Sequence, residues 1–158
     1  MASGERVRLI ADAHLLLFNG DQVLLLKRSN TGFADGSYSV IAGHVDPDET
    51  VRDATAREAL EEAGLIIAPA DLELCHVIHR RSEQDRASFF FTAKHWIGEP
   101  VNREPHKCSE LAWFSIQALP PNTIPYIRHA IAQVRQGQLY SEFGWATAAT
   151  PSRSGNGP

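Results

Sequence analysis

The sequence predicts an α/β domain, a mixed β-sheet with helices on both of its faces. Three observations carry that expectation. Apolar, β-branched runs bounded by turn residues recur along the chain. Between them, Gly43 to Leu65 has the period of one amphipathic helix, and a second helical period lies between Pro120 and Gly137. Strand pairs, a helix, more strands and a helix are the order of a sheet covered on both sides.

The elements follow in order. Val7 to Phe18 has strand composition, Asn19-Gly20 is a hairpin signal, and Val23 to Leu26 is the returning strand, ending in Lys27-Arg28. Ser29 to Ser37, with Gly32, Asp35 and Gly36, is a loop, and Tyr38 to Ile41 is a short buried strand. Ala42 to Asp48 reads as a second loop. Asp46 and Glu49 suit a capping box with Pro47 at the first helical position, and Asp48 is an alternative N-cap. Gly64 supplies a left-handed C-cap. After an extended Leu65 to Ile67, ended by Pro69, Leu72 to His79 and Ser88 to Trp96 form a second hairpin across the polar loop Arg80 to Arg86. Leu111 to Phe114 is a further strand. The last helix runs from Thr123, with Ile124, Ile127, Ile131 and Val134 near helical spacing. Residues 1–145 make one domain, and 146–158, rich in Ala, Thr, Ser, Gly and Pro, read as a disordered tail. Tyr140 to Trp145 is aromatic enough to pack against the domain or, in a homodimer, a second subunit.

The first helix carries the chemistry. At about 100° per residue, Ala56, Ala59, Leu60 and Ala63 share one arc, and Glu58, Glu61 and Glu62 share another. Like charges on an exposed helix repel by only ~0.2–0.5 kcal/mol. Two carboxylates ~6 Å apart in a cleft, at an effective dielectric near 20, repel by about 3 kcal/mol. A cation reverses that sign, and clustered carboxylate oxygens suit Mg²⁺ or Mn²⁺.

The spacing is Gly43, five residues, Glu49, seven residues, Arg57-Glu58-Ala59, one residue, Glu61-Glu62, one residue, Gly64-Leu65. It resembles the Nudix box, departing only at Ala59, where the family more often has a bulkier aliphatic. The resemblance covers about residues 7 to 136 and implies an α/β/α sandwich. It further implies that Glu58, Glu61 and Glu62, with Gly43, form the site of Mg²⁺ or Mn²⁺. Arg57 would orient these acids and pair with Glu49; the plain alternative for Arg57 is an i,i+4 pair with Asp53. A further catalytic glutamate is implied from the stretch before Trp113-Phe114. Glu104 is taken for it, with Glu110 as the alternative. Arg28, Tyr38 and Arg80 are candidate substrate contacts, and Phe33, Tyr38, Trp96 and Trp145 could stack on a base or pack in the core.

Composition narrows the partners. A net charge of −4 excludes a broad basic field for nucleic acid but leaves room for one small nucleotide. Two cysteines make no disulfide framework, and neither a signal peptide nor a membrane span is present, so the expected location is cytoplasmic. Cys75, His76, His79, His106 and Cys108 fit no closed zinc spacing. The reading is therefore a metal-dependent hydrolase of a nucleoside diphosphate linked to another group, first a nucleoside triphosphate pyrophosphohydrolase. Dinucleotide polyphosphates and nucleotide sugars are the next substrates. A non-catalytic nucleotide sensor and an isopentenyl diphosphate isomerase are rivals of other classes, the first disfavoured by the intact acids, the second because neither cysteine matches.

Overall fold

The first apolar run divides between two sheets. In this computed structural model, which describes residues 4–146, β1 (Ile10–Leu15) lies antiparallel to β5 (Ile41–His44) and parallel to β7 (Asp85–Ala93). Only β2 (Phe18–Asn19) turns back, through Gly20 at φ 60°, onto β3 (Gln22–Arg28). The chain changes sheets at Leu16-Leu17. Both side chains are wholly buried, and they enter opposite cores, as alternation along an extended chain requires. A second change of sheet divides the strand expected from Tyr38 to Ile41. β4 (Tyr38–Ser39) pairs with β3, and β5 leaves it for β1.

The second hairpin forms as expected, with shifted bounds: β6 (Leu72–Arg81) pairs with β7. A strand the composition did not suggest, β9 (Tyr140–Phe143), adds parallel to β6. The main sheet therefore runs β5-β1-β7-β6-β9, and it is mixed. In the second sheet, β3 lies beside both β4 and β8 (Cys108–Ser115).

Helix α1 (Val51–Ala63) covers one face of the main sheet, setting Ala59 and Ala63 against Leu15, Leu17, Ile41 and Phe91. Helix α2 (Pro125–Arg135) covers the other, with Ile127, Ala130 and Ile131 against Leu16, Ile78 and Phe90. Each fully buried large aliphatic contributes ~1.5–3 kcal/mol. The result is the expected α/β/α sandwich. The aromatic segment before the C-terminus packs on its own domain. Phe143 joins the α2-side core, the Trp145 indole N–H donates to the His79 carbonyl at 3.0 Å, and the Arg81 guanidinium lies 3.9 Å from the Trp145 ring centroid. Beyond Ala146, the tail expected to be disordered lies outside the described residues.

Candidate active site

The buried face of α1 decides what the acids can do. Ala54, Thr55, Ala59 and Ala63 are buried, and Glu58 and Glu62 fall in the same stripe at i,i+4 spacing. Leu60, expected to pack, is 49% exposed. The division into an apolar face and an opposite acidic face is thus corrected. The reason lies in β5, which is an edge strand. Its outward backbone groups need partners. Glu62 Oε2 accepts the Ala42 N–H at 3.2 Å, and Arg57 Nη2 donates to the His44 carbonyl at 3.1 Å. Alanines on the stripe let the helix come close enough for this. Gly43 is required for the same reason, since a Cβ there would run into the Glu58 carboxylate and stand 2.9 Å from its Cγ.

The helix begins later than either expected cap. Thr50 is the N-cap: its hydroxyl oxygen accepts the Asp53 N–H at 3.1 Å, and the Asp53 carboxylate accepts the Thr50 N–H at 3.4 Å. Thr50-Val51-Arg52-Asp53 carried that signal in the sequence. Asp46 to Glu49 forms a separate turn, in which Glu49 Oε1 accepts the Asp46 N–H at 2.7 Å and Asp48 takes φ 65°.

That turn presents Glu49 to Arg57. Arg57 donates from Nη2 and Nε to Glu49, at 2.7 and 3.1 Å, from Nη1 to Glu58 at 2.8 Å, and at 3.4 Å to Glu61. Asp53, the alternative partner, is occupied by the cap. The Arg57 bonds hold the Glu49 carboxyl below its usual range. Burial raises the Glu58 carboxyl above its usual range, with Arg57 opposing. Burial pushes Glu62 well up, and the charge of Glu58 pushes it further. The side chain of Glu61, by contrast, is 50% exposed.

Glu58 and Glu62 are therefore a crowded, desolvated pair facing the β5 edge. Among the described residues no three His, Cys, Asp or Glu side chains converge on one metal position. The donor set still fits a hard divalent ion, because Mg²⁺ binds through one or two carboxylates and completes its shell with water and substrate phosphates. The cysteines and histidines are dispersed: Cys75 donates to the Phe90 carbonyl, His76 meets Gln138 and Ser141, and Cys108 donates to the Glu110 carbonyl.

Other candidate residues separate by position. The segment after Trp96 lies across the end of α1, where Val101 N–H donates to the Ala63 carbonyl at 2.9 Å and Arg103 N–H to the Glu62 carbonyl at 3.1 Å. These satisfy carbonyls that a helix C-terminus leaves open. They also bring Glu104 near enough for its charge to bear on both Glu58 and Glu62. Glu110 instead accepts the Tyr38 hydroxyl at 2.6 Å. Arg28 donates to the Phe33 carbonyl at 2.8 Å and to Thr31 Oγ1 at 3.0 Å, and its charge bears on Glu62. Its guanidinium sits 5.3 Å from the Phe33 ring, which is 57% exposed.

Tyr38 and Arg80, the other candidate substrate contacts, are both buried. Tyr38 is buried, its ring edge-on to Phe114. Arg80 is buried between the sheet and α2, where it donates to Asp12 and Ser88 and lies over the Tyr126 ring. Unpaired arginine cannot be left in such a place, so Asp12 answers its charge.

Comparison with known proteins agrees with the fold and with the family the sequence resembles. A family model described as NUDIX domain matches residues 8–134. An NAD-capped RNA hydrolase NudC of Chromobacterium violaceum is 29% identical over 132 residues, covering 80% of this chain and 48% of that protein. Its counterpart in Pseudomonas aeruginosa is 32% identical over 115 residues, covering 72% of this chain and 39% of that protein. The chain thus spans less than half the length of these curated relatives. Among solved structures, a MutT NUDIX hydrolase from Burkholderia pseudomallei superposes with a TM-score of 0.73 at 25% identity, covering 80% of this chain and 98% of that one. A MutT protein from Methanosarcina mazei Go1 shares the fold, with a TM-score of 0.71 at 19% identity over 84% of this chain and 97% of that one.

Proposed function

The chain belongs to the Nudix hydrolase family, and from that premise we propose that it is a Mg²⁺- or Mn²⁺-dependent hydrolase of nucleoside triphosphates, cutting within the phosphate chain. The observation that carries the reading is the desolvated Glu58–Glu62 pair at the β5 edge, with Arg57 and Glu49 fixing its orientation. An ion held by these carboxylates supplies positive charge to phosphoryl oxygens and makes a nearby water more acidic.

The chain's own residues do the rest. Arg57 keeps Glu58 aimed at the Gly43 gap while its other bonds anchor it to Glu49. Glu104 carboxylate oxygens take the proton of the attacking water, which as general-base help contributes about 10²–10⁴-fold. Glu61, more exposed, completes the acidic set from the rim. Arg28 donates to a phosphate oxygen, and the exposed Phe33 ring beside it offers a face to the base. No described helix is long and apolar enough to cross a membrane. The two free cysteines, Cys75 and Cys108, suit a reducing, cytoplasmic setting.

Dinucleotides with an internal diphosphate are the second reading, favoured by relatives named as NAD-capped RNA hydrolases. One experiment addresses both: phosphate release from a nucleotide panel, with and without a coupled phosphatase, followed by hydrolysis in ¹⁸O-water and mass spectrometry. Metal-dependent cleavage of triphosphates or dinucleotides, with nucleoside monophosphate and p-nitrophenyl phosphate untouched, supports the proposal. Efficient cleavage of simple monoesters sinks it, and tight nucleotide binding without turnover points to a sensor.

A further inference from the structure

Glu104 stands on a loop that crosses the C-terminal end of α1, the end that bears Glu62. The backbone alone anchors the residues before it, through Val101 and Arg103 on the last turn of α1. What fixes Glu104 itself is the side chain between those two anchors. Asn102 Oδ1 accepts the Glu104 N–H at 3.1 Å, and Asn102 Nδ2 donates to the Cys108 carbonyl at 2.7 Å. The Glu104 carbonyl in turn accepts the N–H groups of Lys107 at 2.8 Å and Cys108 at 2.9 Å. One carboxamide thus closes the 104–108 turn across both of its ends, using its acceptor and its donor at once.

We propose that Asn102 is a positioning residue for the hydrolytic reaction: its carboxamide closes the turn that bears Glu104, which the neighbouring amides dock on the end of α1, and so sets where the Glu104 carboxylate stands relative to Glu62. The inference rests on the role given to Glu104 above. Three features support it beyond the bonds themselves. Asn102 is flanked by the two residues whose amides dock on α1, so any movement of its side chain is transmitted to a fixed point. The turn ends at Cys108, the first residue of β8, which is buried. Arg103, the residue before Glu104, hangs on the Glu62 carbonyl, so a shift of the turn changes where Glu104 stands relative to that acid. A shorter side chain leaves the backbone anchors of Val101 and Arg103 intact and loosens the turn that bears the acid. Ser, Thr or Ala at this position cannot span both Glu104 N and Cys108 O, and Asp keeps the acceptor but sets an anion against the Cys108 carbonyl.

The test is a double-mutant cycle with Asn102→Ala, Glu104→Gln and the pair, measured on the best nucleotide substrate with saturating Mg²⁺. Asn102→Ala is expected to lower kcat by roughly 10-fold with KM little changed, and to have an effect below about 2-fold in the Glu104→Gln background. Any loss of melting temperature should be the same in both backgrounds. If Asn102→Ala does not fold, Asn102→Asp carries the same cycle. An equal drop in kcat with and without Glu104 means that Asn102 supports the fold only, and overturns the positioning role while leaving Glu104 in place. Full activity of Glu104→Gln overturns the role of Glu104 and the positioning role together.

Discussion

Replacing Glu62 by Gln should make the metal-free protein no less stable at neutral pH, and should remove its stabilisation by metal. Glu62 is half-buried and accepts one backbone N–H, from Ala42, while the charge of Glu58 pushes against it. Gln keeps an acceptor for Ala42 and carries no charge. Because burial raises the folded-state pKa of both acids above the unfolded value, the sign is settled. Their contribution is fully present below the unfolded carboxylate range and is lost as pH rises through the raised folded pKa. Each unit of that difference is worth about 1.4 kcal/mol. Metal reverses the penalty: at a hundred times its Kd it adds ~2.7 kcal/mol, which for a chain of 158 residues is about 5–11 °C in melting temperature. The assay is thermal unfolding of wild type and Glu62→Gln in chelator and in millimolar Mg²⁺ or Mn²⁺, at about pH 5.5 and about pH 7.5. Wild type should gain that shift at the higher pH and much less at the lower, where protons compete with the ion. The variant should gain almost nothing at either. A variant that rises with metal as wild type does would show Glu58 and Glu62 to be a solvated face, and the reasoning would be wrong.

Other outcomes follow from single contacts. Gly43→Ala should fold but lose at least ~10-fold in kcat, because the new Cβ displaces the Glu58 carboxylate; circular dichroism and steady-state kinetics check both halves. Glu110→Gln should cost stability through the Tyr38 bond, by about 1 kcal/mol in denaturant titration, and leave kcat within about 2-fold. Trp145→Ala removes the bond to His79 and the stacking on Arg81, and should cost ~1–3 kcal/mol. Ending the chain at residue 139 removes β9 as well and should lower the melting temperature further; an unchanged one would show the segment to be dispensable.

Much of this protein was legible because covalent spacing alone determines it. The run from Gly43 to Gly64 places its acids on consecutive helical turns whatever surrounds it, and alternation and turn residues mark the β6–β7 hairpin. Only the tertiary structure decided which side of α1 is inside. Helical period groups Leu60 with Ala59 and Ala63, yet Leu60 faces outward while Glu58 and Glu62 face the sheet, because the β5 edge offers polar backbone groups that carboxylates and Arg57 can satisfy and leucine cannot. The same holds for Arg28 and Arg80, two strand-end arginines alike in sequence. One ends β3 and turns onto the loop of the exposed Phe33; the other has Asp12 brought to it from a strand 68 residues away. Glu104 and Glu110 part for an equivalent reason, since Tyr38 meets Glu110 across the β3–β4 and β3–β8 pairings and the amides of Val101 and Arg103 carry Glu104 to the end of α1. Sequence distance carries no record of such meetings. They arise where chain segments close over one another and every buried polar group must find a partner.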